Sequence, residues 1–276
     1  MALLQEVAGW LLLPDTSLQK FVILHGDGGT GKGTFLRTLT ALLGSTNVSS
    51  VSMERLMDRF SPAELQHKLA NLCGDMGKVT DKVEGVLKML TGEDTMMFER
   101  KFQHPYSARP TARLIFATNA LPAFTDRSDG IWRRVILIPF NHTVSATERD
   151  NGLESALRAE LPGIFAWAVE GLRRLKSQKR FTQPLMVADA LHRFKAESNE
   201  ARTFLLEHYT ADPSGTVTVD DAYGGYSAEY RGGARTLRTR QEFGTEVKQV
   251  FPQVGKVKVS GPTGTRVNAY RGIRPI

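Results

Sequence analysis

Residues 21–43 read Phe21-Val22-Ile23-Leu24-His25, then Gly26-Asp27-Gly28-Gly29-Thr30-Gly31-Lys32, then Gly33-Thr34-Phe35-Leu36-Arg37-Thr38-Leu39-Thr40-Ala41-Leu42-Leu43. The first piece is a short apolar run closed by a glycine-rich turn, the pattern of a strand buried on both faces of a parallel sheet. In the last piece Phe35, Leu36, Leu39, Leu42 and Leu43 recur at helical spacing, and Gly44 stops the pattern. The middle piece fits G-x-x-x-x-G-K between a strand and a helix, the context that motif requires. Glycines there let successive backbone N–H groups turn inward around phosphates, and the helix N-terminus adds its dipole. Gly26, Gly28, Gly29, Thr30, Gly31, Lys32, Gly33 and Thr34 are therefore the candidate nucleotide-binding residues. Gly33 stands where a Ser or Thr normally holds Mg²⁺, and the hydroxyl follows one residue later at Thr34.

Outward from this stretch the chain alternates strand and helix signals. Residues 2–13 carry Leu3, Leu4, Val7, Trp10 and Leu11 on one helical face; the pattern opens directly after Met1 without a cap, as in a chain taken from a longer one. Ser61-Pro62-Ala63-Glu64 predicts a short helix near 62–67, and Lys68 to Cys73 a strand. Val83 to Leu90 predicts a helix, residues 95–109 a hairpin, and Leu114 to Thr118 and Val135 to Phe140 two more buried strands. Helical periodicity returns over about 153–176 and 186–208. Residues 211–235, with five glycines and Pro213, have linker composition. The organisation expected is a lead-in helix (1–20), a P-loop core (21–145), a helical region (146–210), a linker (211–235) and a small DNA-binding unit (236–276).

The composition is that of an ordinary globular protein: 276 residues, 41% hydrophobic and 24% charged. No apolar run approaches the ~20 residues of a membrane span, and residues 1–20 lack a secretory pattern, so no membrane partner is expected. Cys73 is alone, which excludes a disulfide framework and a cysteine-based zinc site. The net charge of +7 is uneven, because residues 231–276 hold ten Lys/Arg against two Asp/Glu. A neutral body with a basic tail points to a polyanion, nucleic acid above all.

Phosphoryl transfer needs a carboxylate, a polar group near the terminal phosphate and a positive charge for the transition state. Asp75 is the first carboxylate at the end of an apolar strand after the loop, and with Thr34 it is the expected metal-holding pair. Asn119 ends the next strong strand and suits positioning of water. Arg133 and Arg134 precede the last strand on a short loop, placed like a finger offered to a neighbouring subunit. Lys32, Asp75, Asn119, Arg133 and Arg134 are the candidate catalytic residues.

Six segments then stand in a recognisable order: the phosphate loop, Lys-Leu-Ala-Asn-Leu-Cys-Gly-Asp (68–75), Leu-Thr-Gly-Glu-Asp (90–94), Glu-Arg-Lys-Phe (99–102), Leu-Ile-Phe-Ala-Thr-Asn-Ala-Leu-Pro (114–122) and Asp-Gly-Ile-Trp-Arg-Arg-Val-Ile-Leu-Ile-Pro-Phe (129–140). In these the chain resembles the superfamily 3 helicase module of phage and plasmid primase-helicases, related to the poxvirus primase-helicase. The resemblance implies an α/β fold, an AAA+-like P-loop NTPase with a central, mostly parallel sheet followed by a small winged-helix domain. It implies a ring, usually a homo-hexamer, that hydrolyses ATP with Mg²⁺ and moves 3′ to 5′ on single-stranded or forked DNA in phage or plasmid replication. By the same carry-over Lys32 and Thr34 bind phosphate and magnesium, Asp75 is the Walker B acid, Asn119 is sensor 1, and Arg133 or Arg134 acts in trans. Arg100 and Lys101 fall in a segment that projects a hairpin towards DNA. The family often has paired acids at the strand end, whereas Met76 follows Asp75 here.

In residues 236–276 a helix (241–250) precedes strands at 256–259 and 266–271, the order of a winged helix. Phe243, Val247 and Val250 are expected inside, leaving Arg238, Arg240 and Lys248 for phosphates. No primase site precedes the loop, so any primase lies outside this chain. The expected location is the cytoplasm of a bacterial host. A second reading keeps ATP binding and DNA binding but makes the chain a replication initiator or assembly switch with little unwinding. A nucleoside monophosphate kinase, which shares the Gly-Lys-Gly-Thr run, would leave the basic tail and Arg133-Arg134 without a role.

Overall fold

The computed structural model describes residues 1–77, 83–122, 124, 130–145, 147–231, 237–260 and 265–276. It forms two compact units, Met1–Phe194 and Lys195–Ile276. In the first, α1 (Ala2–Trp10) leads to β1 (Phe21–His25), α2 (Lys32–Leu43), β2 (Val48–Ser49) and β3 (Ala70–Cys73). Then come α3 (Val83–Thr91), a hairpin of β4 (Met96–Phe98) and β5 (Tyr106–Ala108), β6 (Arg113–Thr118), β7 (Val135–Pro139), α4 (Leu153–Ala159) and α5 (Leu161–Gln178). The last helix, α6 (Leu185–Glu197), carries the chain from one unit to the next. Ser61–Leu65 is a 3₁₀ turn rather than the α-helix expected at 62–67.

Five strands make one parallel sheet in the order β2-β3-β6-β1-β7. Alternation sorts its side chains. Phe21, Ile23, Leu114, Phe116, Val135 and Leu137 join the core on one face, with Leu87 and Phe194. Val22, Leu24, Ile115, Ala117, Ile136 and Ile138 join the core on the other, with α1, α2 and α5. Strands β1, β6 and β7 are thus apolar on both sides, as a covered parallel sheet requires. The two non-consecutive neighbours of β1 bring the ends of β1 and β6 together, with His25 opposite Thr118. That edge is where open α/β sheets bind ligands.

Helices α1 and α5 cross with almost nothing between their backbones. A Cβ on Gly9 would lie 2.2 Å from the Ala168 carbonyl oxygen, and one on Gly171 would lie 2.1 Å from that of Gln5. Glu6, wholly buried, sits in this crossing and accepts from Arg174 at 2.6 Å, from Gln178 at 2.9 Å and from the Thr182 hydroxyl at 2.6 Å. Burial pushes its carboxyl up, but the hydrogen bonds from Thr182 and Arg174 outweigh that and hold it below the usual range. Arg113, buried at the start of β6, donates to the Leu11 carbonyl at the end of α1 at 2.7 Å. Burial lowers this guanidinium to about 10, while Asp15 pulls it back up.

The second unit contains α7 (Glu200–His208), β8 (Tyr209–Thr218), α8 (Val219–Tyr230), α9 (Arg240–Val250), β9 (Gly255–Ser260) and β10 (Arg266–Pro275). Its antiparallel sheet has the order β8-β10-β9. Phe243 and Val247 are buried as expected, in a core with Phe204, Tyr226, Tyr270 and Ile273. Thr239 and Glu242 form a full capping box at the start of α9. The linker expected at 211–235 is corrected by β8 and α8, which occupy residues 209–230; residues 232–236 lie outside the described ones. The second unit also begins 41 residues before the expected 236. Among the described residues, no helix is long and apolar enough to cross a membrane.

Gly171→Ala is expected to destabilise the chain by roughly 2–3 kcal/mol, since backbone rather than a movable side chain meets the new carbon. On the same helix Gly163 faces open space, so Gly163→Ala is expected to be neutral or to stabilise by up to about 1 kcal/mol. Urea unfolding of both variants checks the pair, and equal effects would sink the close-crossing account.

Candidate functional site: a phosphate loop at the sheet edge

The loop after β1 is held open by glycine. Gly29 and Gly31 have φ of +78° and +90°, values that suit glycine. A Cβ on Gly28 or Gly31 would meet nothing within 4 Å, so these positions border free space. Gly31 leads directly into α2, whose first N–H groups are left without intrahelical partners.

Lys32 folds back into the loop. Its ammonium donates to the carbonyls of Gly26 at 2.6 Å and Asp27 at 2.8 Å, to Asn119 Oδ1 at 3.0 Å and to Thr30 Oγ1 at 3.3 Å. Burial pushes this ammonium below its ordinary range, and Asp27 opposes the shift. The structure thus brings Lys32, Thr30 and Asn119 into one group. Asp75 lies two residues past β3, exposed, with Oδ1 accepting the Gly77 N–H at 3.1 Å. The register of Cys73 with Phe116 puts it at the same edge of the sheet as Asn119. The Thr34 hydroxyl accepts from Arg37 at 3.3 Å.

A cavity of about 920 Å³ adjoins the loop, lined by Gly29 to Thr34, by Arg37, Arg149, Asp150 and Asn151, and by the apolar Leu153, Leu157, Ile164 and Trp167. Its size suits a drug- or nucleotide-sized molecule. Three of these contributions could not be read from the sequence. Arg37, one turn into α2, reaches back so that a Cβ on Gly33 would lie 3.1 Å from its Nη1, and its Nε meets Glu154 at 3.0 Å. Arg149 comes from the segment after β7, which crosses the loop with the Val144 N–H donating to the Gly29 carbonyl at 3.1 Å. A Cβ on Gly29 would stand 3.6 Å from Arg149 Nη2. Trp167 arrives from α5. The only signal for Arg37 was its i+4 spacing from Gly33. Cradle, cations and cavity together fit a polyphosphate nucleotide, and Thr34 and Asp75 offer oxygens suited to a magnesium ion.

The two candidate arginines part company. Arg134 is buried, with Nη1 donating to the Gly130 carbonyl at 2.6 Å and Nη2 to Gln19 Oε1 at 3.4 Å. Arg133 is exposed. Both precede β7, at the end of the sheet away from the phosphate loop and about 16 Å from it at ~3.3 Å per residue. Lys20 donates to the Arg133 carbonyl, and burial followed by repulsion from Arg133 and Arg134 lowers its ammonium. Asp129, quoted with this motif, lies outside the described residues.

The other candidates lie on the surface. Arg100 and Lys101 are exposed in the turn between β4 and β5. In the second unit Arg240 and Lys248 are exposed on α9 and Arg238 is half-buried. Arg240 pairs with Asp220 and lies 5.3 Å over the Tyr223 ring.

A family of unknown function (DUF5906) matches residues 24–134. The "Putative helicase 022R" of frog virus 3 (isolate Goorha) is 26% identical over 207 residues, 67% of this chain and 21% of that protein. A "Putative helicase" of Acanthamoeba polyphaga mimivirus is 28% identical over 131 residues, 45% of this chain and 14% of that protein. The chain therefore spans about a fifth and a seventh of these two viral relatives. Among solved structures, the apo NrS-1 C-terminal region aligns with a TM-score of 0.58 and 16% identity, covering 98% of this chain and 71% of that one. Its A form gives 0.56 and 15%, with 97% and 71% covered. These two share the fold.

Arg134→Ala is expected to destabilise the chain by roughly 2–3 kcal/mol, because it removes a buried side chain and leaves the half-buried Gly130 and Gln19 oxygens without its hydrogen bonds. Arg133→Ala is expected to stay within about 0.5 kcal/mol of the parent. Thermal unfolding of the two variants decides the assignment, and the reverse order would refute it.

Proposed function

We propose that the chain is the motor of an ATP-dependent DNA helicase of superfamily 3, moving 3′ to 5′ on single-stranded DNA as a homo-hexamer in phage or plasmid replication. The observation that carries the reading is the 3.0 Å bond from Lys32 to Asn119 across neighbouring strands β1 and β6. It joins a phosphate-loop cation to a strand-end amide at the edge where open α/β sheets bind ligands. The viral relatives named as helicases support the same class.

On this reading Gly26 to Thr34 bind the phosphates of ATP, and Arg37 and Arg149 flank them. Lys32 leaves the loop carbonyls for the phosphate oxygens, and Asn119 orients the attacking water. Thr34 and Asp75 would hold Mg²⁺, which neutralises charge on the phosphates. Arg133, exposed and distant from its own loop, serves the nucleotide of an adjacent subunit. Lys20 and Arg134 hold the turn that presents it. Arg100 and Lys101 contact single-stranded DNA. The second unit, with its helices and three-stranded sheet, acts as a winged helix with Arg238, Arg240 and Lys248 towards phosphates.

ATP hydrolysis is expected to rise on adding single-stranded DNA and to climb steeply with protein concentration. Lys32→Ala is expected to lose about a hundred-fold or more, and Arg133→Ala on the order of a thousand-fold. Mixing these two inactive variants is expected to restore part of the rate, since one supplies the loop and the other the arginine. A rate indifferent to DNA and to concentration overturns the motor and leaves the switch.

A further inference from the structure

We infer that Phe102 is a base-stacking residue that takes the bases of single-stranded DNA on the open face of its ring, beside the phosphate-binding Arg100 and Lys101. The inference rests on the nucleic-acid reading above but assigns a residue and a mode of contact that the reading does not contain.

Phe102 is 105% exposed and has φ of +62°. Each property is unfavourable for phenylalanine. The ring forfeits all its burial in water, and the left-handed backbone crowds its Cβ. Asn or Gly would relieve both. A turn needing only that conformation would not require an aromatic ring.

The turn is also firmly built. Met96 to Phe98 pair with Tyr106 to Ala108, and the Phe98 and Tyr106 rings stack with centroids 5.8 Å apart. Arg59 holds Glu99 at 2.6 Å, and the Gln103 N–H closes the turn on the Arg100 carbonyl at 3.2 Å. Arg100 leans over Tyr106 and Lys101 over Phe60, at 5.7 and 5.9 Å. These contacts fix the base of the hairpin and leave Phe102 at the tip. The one carboxylate in the turn, Glu99, is tied to Arg59, so the tip faces outward as two cations and a bare ring.

A ring flanked by cations matches one ligand well, a strand whose phosphates are anionic and whose bases expose π-faces. A duplex buries those faces in its own stack. A lipid surface would call for a larger apolar face than one ring at the tip.

The test compares the full chain's affinity for a labelled oligothymidylate and for an abasic strand of equal length, which keeps the phosphates and lacks the bases. The parent is expected to bind the base-bearing strand about ten-fold more tightly. Phe102→Ala and Phe102→Asn are expected to bind both strands alike, near the abasic affinity. Phe102→Trp is expected to keep the preference. Arg100→Ala with Lys101→Ala is expected to weaken both strands in equal proportion. The melting temperature of Phe102→Asn is expected to stay level or rise, which separates lost stacking from lost folding.

A preference for the base-bearing strand that survives in Phe102→Ala overturns this inference alone, as does a parent that binds both strands equally. So does a fall in oligomer size in Phe102→Ala, which would make the ring a contact between copies. A parent that binds neither strand overturns the nucleic-acid reading as well.

Discussion

The backbone at Gly26 passes so close to the Phe140 carbonyl that a Cβ would stand 2.1 Å from its oxygen. This contact is possible only with glycine, and much of the site follows from it. The Phe140 N–H donates to the His25 carbonyl at 2.6 Å, which extends the pairing of β1 with β7 to the mouth of the phosphate loop. The chain leaving β7 is thereby laid across the loop, where Val144 bonds to Gly29 and Arg149 reaches the cavity. A bulkier residue at 26 would push apart the two strand ends that define both the loop and the wall opposite it.

The same closeness shapes the electrostatics. With the strand ends drawn together, the carbonyls of Gly26 and Asp27 converge on the Lys32 ammonium. Neutral carbonyls solvate a cation only in part, so a buried lysine held by them keeps an unmet demand for negative charge. On the proposed reading those partners give way to the anionic oxygens of phosphates, which bind an ammonium roughly twice as well. The bond to Asn119 couples that exchange to β6, because movement of Lys32 frees the amide.

Much of this was legible in the sequence, and the reasons for success and failure are physical. The apolar run, glycine turn and amphipathic stretch follow one another in the sequence, so the succession of β1, turn and α2 and the parallel sheet could be read from it. Arg133 and Arg134 are adjacent with equal charge, and only the turn ending at Val135 decides which faces water. The linker expected at 211–235 failed for a different reason. Its glycines were read as breakers, yet Gly215 lies in β8 where a Cβ would stand 2.4 Å from the Ile273 carbonyl oxygen. Gly225 lies in α8, 3.1 Å by the same measure from the Phe204 ring. Both are sites of close approach, and composition does not separate close approach from flexibility. Arg149 had no signal at all, since its place depends on where the chain goes after β7.

Gly33, the one departure from the usual loop, fits the structure better than the sequence suggested. Arg37 lies along the face that a side chain at 33 would share, with Nη1 3.1 Å from the position of its Cβ. A guanidinium there sits beside the positive end of α2, an unfavourable place for a cation. Glu154 offsets the cost by accepting from Arg37 at 3.0 Å, but both side chains are largely exposed and such pairs contribute little. The first turn of α2 thus gathers the helix dipole, Lys32 and Arg37, set against Glu154 beside Arg37 and the charge of Asp27 acting on Lys32. On the proposed reading the missing charge is the nucleotide's. On that reading, glycine at 33 leaves Thr34 and Asp75 to hold the metal, and the space beside it would let Arg37 add a second protein cation to the phosphates.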